Sequence, residues 1–219
     1  MSIPIILYMR RFSNVRKAPA LFFLFFSTFA LAVQANGQQP EEGLASYYAG
    51  KFQGRLTANG EIFDTNRFTA AHKTLPFHTI VKVTSETSGK SVLVRINDRG
   101  PFVSGRIIDL SRAAADAIDM VGTGLAFVTV KVVELGNGRT YHKTGPPSRT
   151  VAIQVGAFND ENNANDAIRL LESNRLKPVV ETNTGGLKRV LIPGIMEDDL
   201  KLTRLKLEVL GFTDVLVRR

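Results

Sequence analysis

The 219-residue chain contains no cysteine, no tryptophan and only three histidines. Without cysteine there is no disulfide framework, no thiolate metal site, no thiol nucleophile and no sulfur to carry a lipid anchor. A zinc site wants three or four protein ligands at recognisable spacing. His72 and His78 would have to recruit Asp64 or Asp109 to make one, so no metal is expected, and no cofactor either. Long apolar runs are also scarce. The one uncharged stretch, 18–33, falls short of the ~20 residues a membrane-spanning helix needs. Beyond residue 35 there is no run of lysines or arginines, so the concentrated basic patch of a nucleic-acid binder is missing and no such partner is expected.

What precedes the apolar stretch gives it meaning. Arg10, Arg11, Arg16 and Lys17 lead into 18–33, and Val33 and Ala35 suit the small-residue positions before a peptidase cut after Ala35, with Ala30 and Ala32 offering another. Residues 1–35 therefore read as an export signal, the alternative being a retained membrane anchor. They hold four basic residues and no acidic one, so cleavage lowers the formal net charge from +8 to +4. A mildly basic protein suits the anionic surface of a cell envelope, and periplasmic residence is the expectation.

The remainder divides into pieces. Residues 36–42 are polar and read as a short disordered lead. A first unit, 43–135, shows strand-like segments at 43–48, 80–84, 91–96, 107–110 and 127–134. It has one clear helix over 111–119 with Ser111 as N-cap. Many short strands separated by turn signals predict a small barrel. Residues 136–149, GNGRTYHKTGPPSR, are rich in Gly, Pro and charge and read as a linker. In 150–219 the expected order is strand 151–158, helix 160–174, strands 178–182 and 188–192 around a 183–186 turn, helix 197–210 and strand 214–217. That βαββαβ order predicts one sheet with helices on one face, an α+β sandwich.

One carboxylate stands out. Val92, Val94 and Ile96 alternate with Leu93 and Arg95, and the period carries Asp98 onto the face of Ile96, with Arg95, Asn97 and Arg99 pointing the other way. Gly100 and Pro101 then end the strand, leaving Asp98 at a turn open to ligands. Partial desolvation raises a carboxyl pKa, and a carboxyl that keeps its proton can act as a general acid. An Asp that merely caps the turn through its own backbone fits the same pattern.

In GLASYYAGKFQGRLTANGEIFD, TAAHKTLPFHTIVKV, VRINDRGPF and GRIIDLS, the first unit resembles the RlpA (rare lipoprotein A) family of septal lytic transglycosylases, over nearly all of 43–135. The second, with VAIQVGAF and GFTDVLVRR, resembles a SPOR domain. The resemblance implies a six-stranded double-psi β-barrel followed by a small βαββαβ SPOR sandwich. It also implies cleavage of the MurNAc-β-1,4-GlcNAc bond of peptidoglycan without water, leaving 1,6-anhydro ends, with a preference for peptide-stripped strands that the SPOR unit binds. Carried over by motif, the active-site residues are Glu61, His72 and Asp98. Asp98 would be the acid, Glu61 would hold substrate or stabilise developing positive charge, and His72 would orient Asp98 or a sugar hydroxyl. By composition alone, Glu61 after Asn59-Gly60 also reads as a solvated turn residue.

Tyr47 and Tyr48 stand where the family usually shows an aromatic pair containing Trp, and either stack on sugar or pack the barrel. Gln53 falls where the family often has His. Asn59, Arg99 and Arg106 are further substrate-binding candidates, the arginines toward sugar carboxyls or as loop braces. Gln154, Gly156 and Phe158 would line a glycan groove, with Val151, Ile153 and Val155 facing the helices. The absent lipobox cysteine departs from the family pattern and argues against lipid anchoring. Denuded glycan strands are the expected partner, with peptide-stripping amidases and the division machinery as further candidates, and a monomer is expected. Two other readings stay open: a non-catalytic, expansin-like wall binder, and a true hydrolase using Asp64 or Asp109 as its base.

Overall fold

The computed structural model describes residues 39–48, 50–140 and 149–219; the expected export signal, its cleavage site and the middle of the expected linker lie outside them. Six strands, β1 (Glu41–Tyr47), β2 (Thr69–His72), β3 (Ile80–Ser85), β4 (Ser91–Asp98), β5 (Arg106–Leu110) and β6 (Leu125–Glu134), close into a barrel in the order β1-β5-β2-β4-β3-β6. The β1–β5 and β2–β4 pairs are parallel and the other four antiparallel. The interior is filled from alternate strand positions, with Val81, Val83, Val94, Ile96, Ile108, Leu110 and Val128 fully buried. Helix α1 (Arg112–Ala117) begins as expected: the Ser111 hydroxyl accepts from the Ala114 N–H, and Ala114 and Ala115 pack on the barrel.

Three differences from the sequence expectation have physical causes. Strand β2 was not foreseen because all four of its residues are buried, which leaves no alternation to detect. Strand β1 begins inside the segment expected to be a disordered lead. Glu41 and Glu42 pair with Val130 and Thr129, since ladder hydrogen bonds ask nothing of side-chain polarity. The first residues of the expected linker are tied to the barrel: the Gly136 N–H donates to the Thr79 hydroxyl (3.0 Å) and the Gly138 N–H to the Phe77 carbonyl (3.1 Å). Gly136 lies so close to that carbonyl that a Cβ would sit 2.0 Å from it.

The second unit follows the expected order: β7 (Thr150–Phe158), α2 (Glu161–Ser173), β8 (Val179–Thr182), β9 (Lys188–Met196), α3 (Leu200–Val209) and β10 (Leu216–Arg218), with the antiparallel sheet ordered β10-β7-β9-β8. Residues Glu197–Asp199 form a 3-10 turn, so α3 starts later than the periodicity predicts. Ile153, Val155, Val190 and Ile192 of the sheet meet Ala164, Leu171 and Leu207 of the helices in one core. Among the described residues, no helix is long and apolar enough to cross a membrane.

Candidate active site

Asp98 ends β4, where Gly100, at φ +130, turns the chain through a conformation closed to residues with a Cβ. It is half-buried and its two oxygens are held differently. Oδ1 accepts from the Ala58 N–H (2.8 Å) and the Arg99 N–H (2.8 Å); Oδ2 meets the Tyr48 hydroxyl at 2.7 Å. Tyr48 follows β1, and its N–H donates to the Leu110 carbonyl (2.9 Å). Its ring packs edge-on against Phe52 and tilted against Phe63, at centroid distances of 5.3 and 5.0 Å. Burial first, then the charge and hydrogen bond of Asp98, raise the Tyr48 pKa, so the phenol keeps its proton.

Glu61 is 7% exposed, not a solvated turn residue, and not in contact with Asp98. Arg95 Nη1 donates to Oε1 (2.7 Å) and Nη2 to Oε2 (2.8 Å), while Asn59 Nδ2 (2.8 Å) and Asn97 Nδ2 (3.1 Å) fill the remaining positions. Burial works to raise this carboxyl, but Arg95, then Asn59 and Arg67, overcome it and hold it at about 2. Each Glu61 oxygen thus accepts from two side-chain donors of the barrel itself. Asn59 is fully buried and belongs to the same brace: its Oδ1 accepts from the Thr57 hydroxyl and the Glu61 N–H.

His72 is also directed elsewhere. Its Nδ1 accepts from the Thr74 and Leu75 N–H groups (3.3 and 3.2 Å), which leaves Nε2 to donate to Glu41 Oε2 (3.0 Å). Burial lowers its pKa against the opposing pull of Glu41, and the neutral ring staples β2 to the start of β1. Neither Asp98 nor Glu61 is among its partners, so the expected orientation of Asp98 comes from Tyr48 instead.

Arg99 lies 3.7 Å from the Phe77 ring centroid and donates to the His72 and Asp98 carbonyls (3.4 Å each), bracing the strand ends beside the acid. Arg106 donates to the Ser46 hydroxyl (2.8 Å), which in turn donates to Asp109, a brace on the β1–β5 side. Tyr47 is half-buried and packs against the barrel core, with its hydroxyl donating to the Val121 carbonyl (3.2 Å). Phe102, just past Pro101 and four residues beyond Asp98 in the chain, is 89% exposed, an aromatic side chain that sequence periodicity did not single out. In β7, Val151, Ile153 and Val155 are buried as expected, but bulges break the alternation, Gln154 is buried with Oε1 unpaired, and Phe158 packs on the core with its ring over Gly156. The three do not line one open face. No group of three metal-binding side chains exists among the described residues.

Sequence comparison finds similar proteins for both units. Residues 40–130 match the family described as lytic transglycolase, and 147–218 match the SPOR domain. An endolytic peptidoglycan transglycosylase RlpA from Vibrio cholerae is 42% identical over 170 residues, 76% of this chain and 64% of that protein. Over about three quarters of its length the chain is similar to this RlpA. A second RlpA, from Campylobacter jejuni, is 37% identical over 178 residues, 72% of this chain and 65% of its own length. The Pasteurella multocida RlpA is 51% identical over 111 residues, 51% of this chain and 37% of that protein. The chain thus spans less than two thirds of these RlpA relatives. An expansin from Clavibacter michiganensis aligns over 73% of this chain and 81% of its own at a TM-score of 0.37 and 16% identity, a likeness that decides nothing.

Proposed function

We propose that the chain is an exported lytic transglycosylase of the cell envelope that cuts the MurNAc-β-1,4-GlcNAc bond of peptide-stripped glycan, with Asp98 as its single acid–base. The observation that carries this is the contrast at the site. One half-buried carboxyl is held by three donors at the end of β4, and the nearby Glu61 is committed to Arg95. The glycosidases that hydrolyse need two working carboxylates. An enzyme that lets the sugar's own C6 hydroxyl attack needs one.

The hydrogen bonds assign the proton. Both partners of Oδ1 are backbone N–H groups, which only donate, so the transferable proton belongs on Oδ2. Oδ2 gives it to the bridging oxygen as the C1–O bond breaks, and the C6 hydroxyl then attacks C1, returning its proton to the same oxygen. In the interval the Tyr48 hydroxyl donates to the bare Oδ2 and stabilises the carboxylate. Phe102 offers an apolar platform for a sugar ring. The second unit, as a SPOR domain, would bring the barrel to denuded division-site strands, and amidases that remove peptides would prepare them. The domain limits proposed are 43–135, widened to 41–138 by the pairing of Glu41 and the bonds of Gly136 and Gly138, and 150–219, with a signal ending at Ala35.

The deciding experiment incubates the purified chain with amidase-treated and with intact sacculi and identifies the released ends by mass. Anhydro ends from stripped glycan alone support the reading. Reducing ends would make it a hydrolase, and binding without release would make it an expansin-like wall protein.

A further inference from the structure

Arg95 is a long cation in the middle of an apolar strand, 1% exposed, and Glu61 takes only part of its donor set. The rest goes to the other unit. Asp199, at the end of the 3-10 turn before α3, accepts from Arg95 Nε (2.9 Å) through Oδ1, which also lies 2.8 Å from Arg95 Nη2, and from Arg67 Nε (2.6 Å) through Oδ2. Arg67 lies 3.6 Å from Glu61 in turn. Two arginines of the barrel are therefore shared between one barrel carboxylate and one carboxylate of the SPOR unit.

From this quartet a continuous series of bonds reaches the acid. Glu61 is held by Arg95 and by Asn59 Nδ2, and Asn59 Oδ1 closes the tight 57–61 turn on the Glu61 N–H and the Thr57 hydroxyl. Gly60, at φ +92, permits that turn, and the Asn59 N–H anchors it to the Asn97 carbonyl (3.2 Å). The same turn presents the Ala58 N–H to Asp98 Oδ1.

We infer that Asp199 of the SPOR unit is a positioning residue for the barrel's site: it locks Arg95, and through Arg95 and Glu61 it fixes the 57–61 turn that holds Asp98. The inference rests on the reading of Asp98 as the acid. Adhesion alone is a poor explanation for the quartet. Removing four charged groups from water costs about as much as their attraction returns, and apolar contacts of the same volume hold two surfaces together as well or better. What a charged, forked set of hydrogen bonds does supply is a defined geometry. The other contacts around it are also polar: Arg175 pairs with Asp116 (2.6 Å), Lys201 with Glu134, and Lys206 Nζ lies 3.0 Å from the Phe68 ring centroid. A contact of this character is one that can separate. Seating of the glycan-binding unit and readiness of the cutting unit are then one event.

The test uses Asp199→Asn, with Asp199→Glu as the conservative control, in the full chain. The Asp199 side chain makes no capping bond to α3, so neither change removes a helix cap. Two measurements are made. In nitrogen-15 spectra the side-chain amides of Asn59 and Asn97, both donors to Glu61, are expected to shift in Asp199→Asn and to return in Asp199→Glu. On peptide-stripped glycan kcat is expected to fall ~10-fold with KM within about twofold, and to recover in Asp199→Glu. Unmoved amides overturn the inference, and so does an unchanged kcat. A fall confined to KM also overturns it, since that would make Asp199 part of glycan binding. If the unaltered chain releases no anhydro ends, the transglycosylase reading fails by itself, and the amide shifts still decide whether Asp199 sets Glu61.

Discussion

Glu61 and Asp98 belong to neighbouring segments of one barrel, and their surroundings give them opposite work. Glu61 is nearly sealed, spends both oxygens on Arg95 and is held at about 2. Asp98 is half-buried and faces backbone donors with one oxygen and a phenol with the other. Burial joined to a full-strength cation removes a carboxylate from proton traffic. Neutral donors on both oxygens of Asp98 fix the direction of that carboxyl. On the proposed reading, the carboxylate that serves architecture and the carboxylate that serves chemistry are separate residues, joined by the 57–61 turn.

The sharpest way to break that distinction is Asp98→Asn, which keeps the Ala58 and Arg99 bonds but has no proton to give. Release of anhydro ends should fall ~10³-fold, with the melting temperature almost unchanged; comparable loss of folding would make Asp98 architectural. Glu61→Gln should do the reverse in kind. It leaves Arg95 with only Asp199 as a charged partner, costs about 3 kcal/mol and lowers the melting midpoint by roughly 6–12 °C. The pH dependence should report the same group. Its folded pKa is depressed, so its stabilisation is complete above the ordinary value of 4.5 and disappears as pH falls toward about 2. Denaturant titrations should show that slope in the unaltered chain and a flatter one in Glu61→Gln. Tyr48→Phe retains the contacts with Phe52 and Phe63 and removes one bond to the acid; kcat should drop about 10-fold at constant stability. Phe102→Ala should raise KM for stripped strands about threefold and leave kcat alone.

Much of the scaffold was legible along the chain. The strands β3 and β4, the Ser111 cap and the βαββαβ order all arise from local patterns that the structure reproduces, although the alternation of β4 ends at Val94, beyond which Arg95, Ile96 and Asn97 are all buried. The position of Asp98 was legible too, because Gly100 and Pro101 mark where β4 must stop. Partners were not. Arg95 looked like the outward half of an alternating strand, and nothing near it announces Glu61 34 residues earlier or Asp199 104 residues later. Adjacent tyrosines necessarily face opposite ways, but the chain alone does not say which is inside; Tyr47 is on the core and Tyr48 on the acid. His72 went to Glu41, a residue in a stretch whose polarity concealed a strand.

The closure of the barrel has a consequence in time. Tyr48 is delivered by β1, and β1 is flanked by β5 and by β6, the last barrel strand to be made, which pairs with it from Glu41↔Val130 to Ser46↔Leu125. Such distant pairings close late, because the intervening loop must be ordered before they return any stabilisation. On the proposed reading of Asp98, cutting ability then depends on closure of the barrel, because the strand that leads to Tyr48 is held on both sides only when β6 is seated.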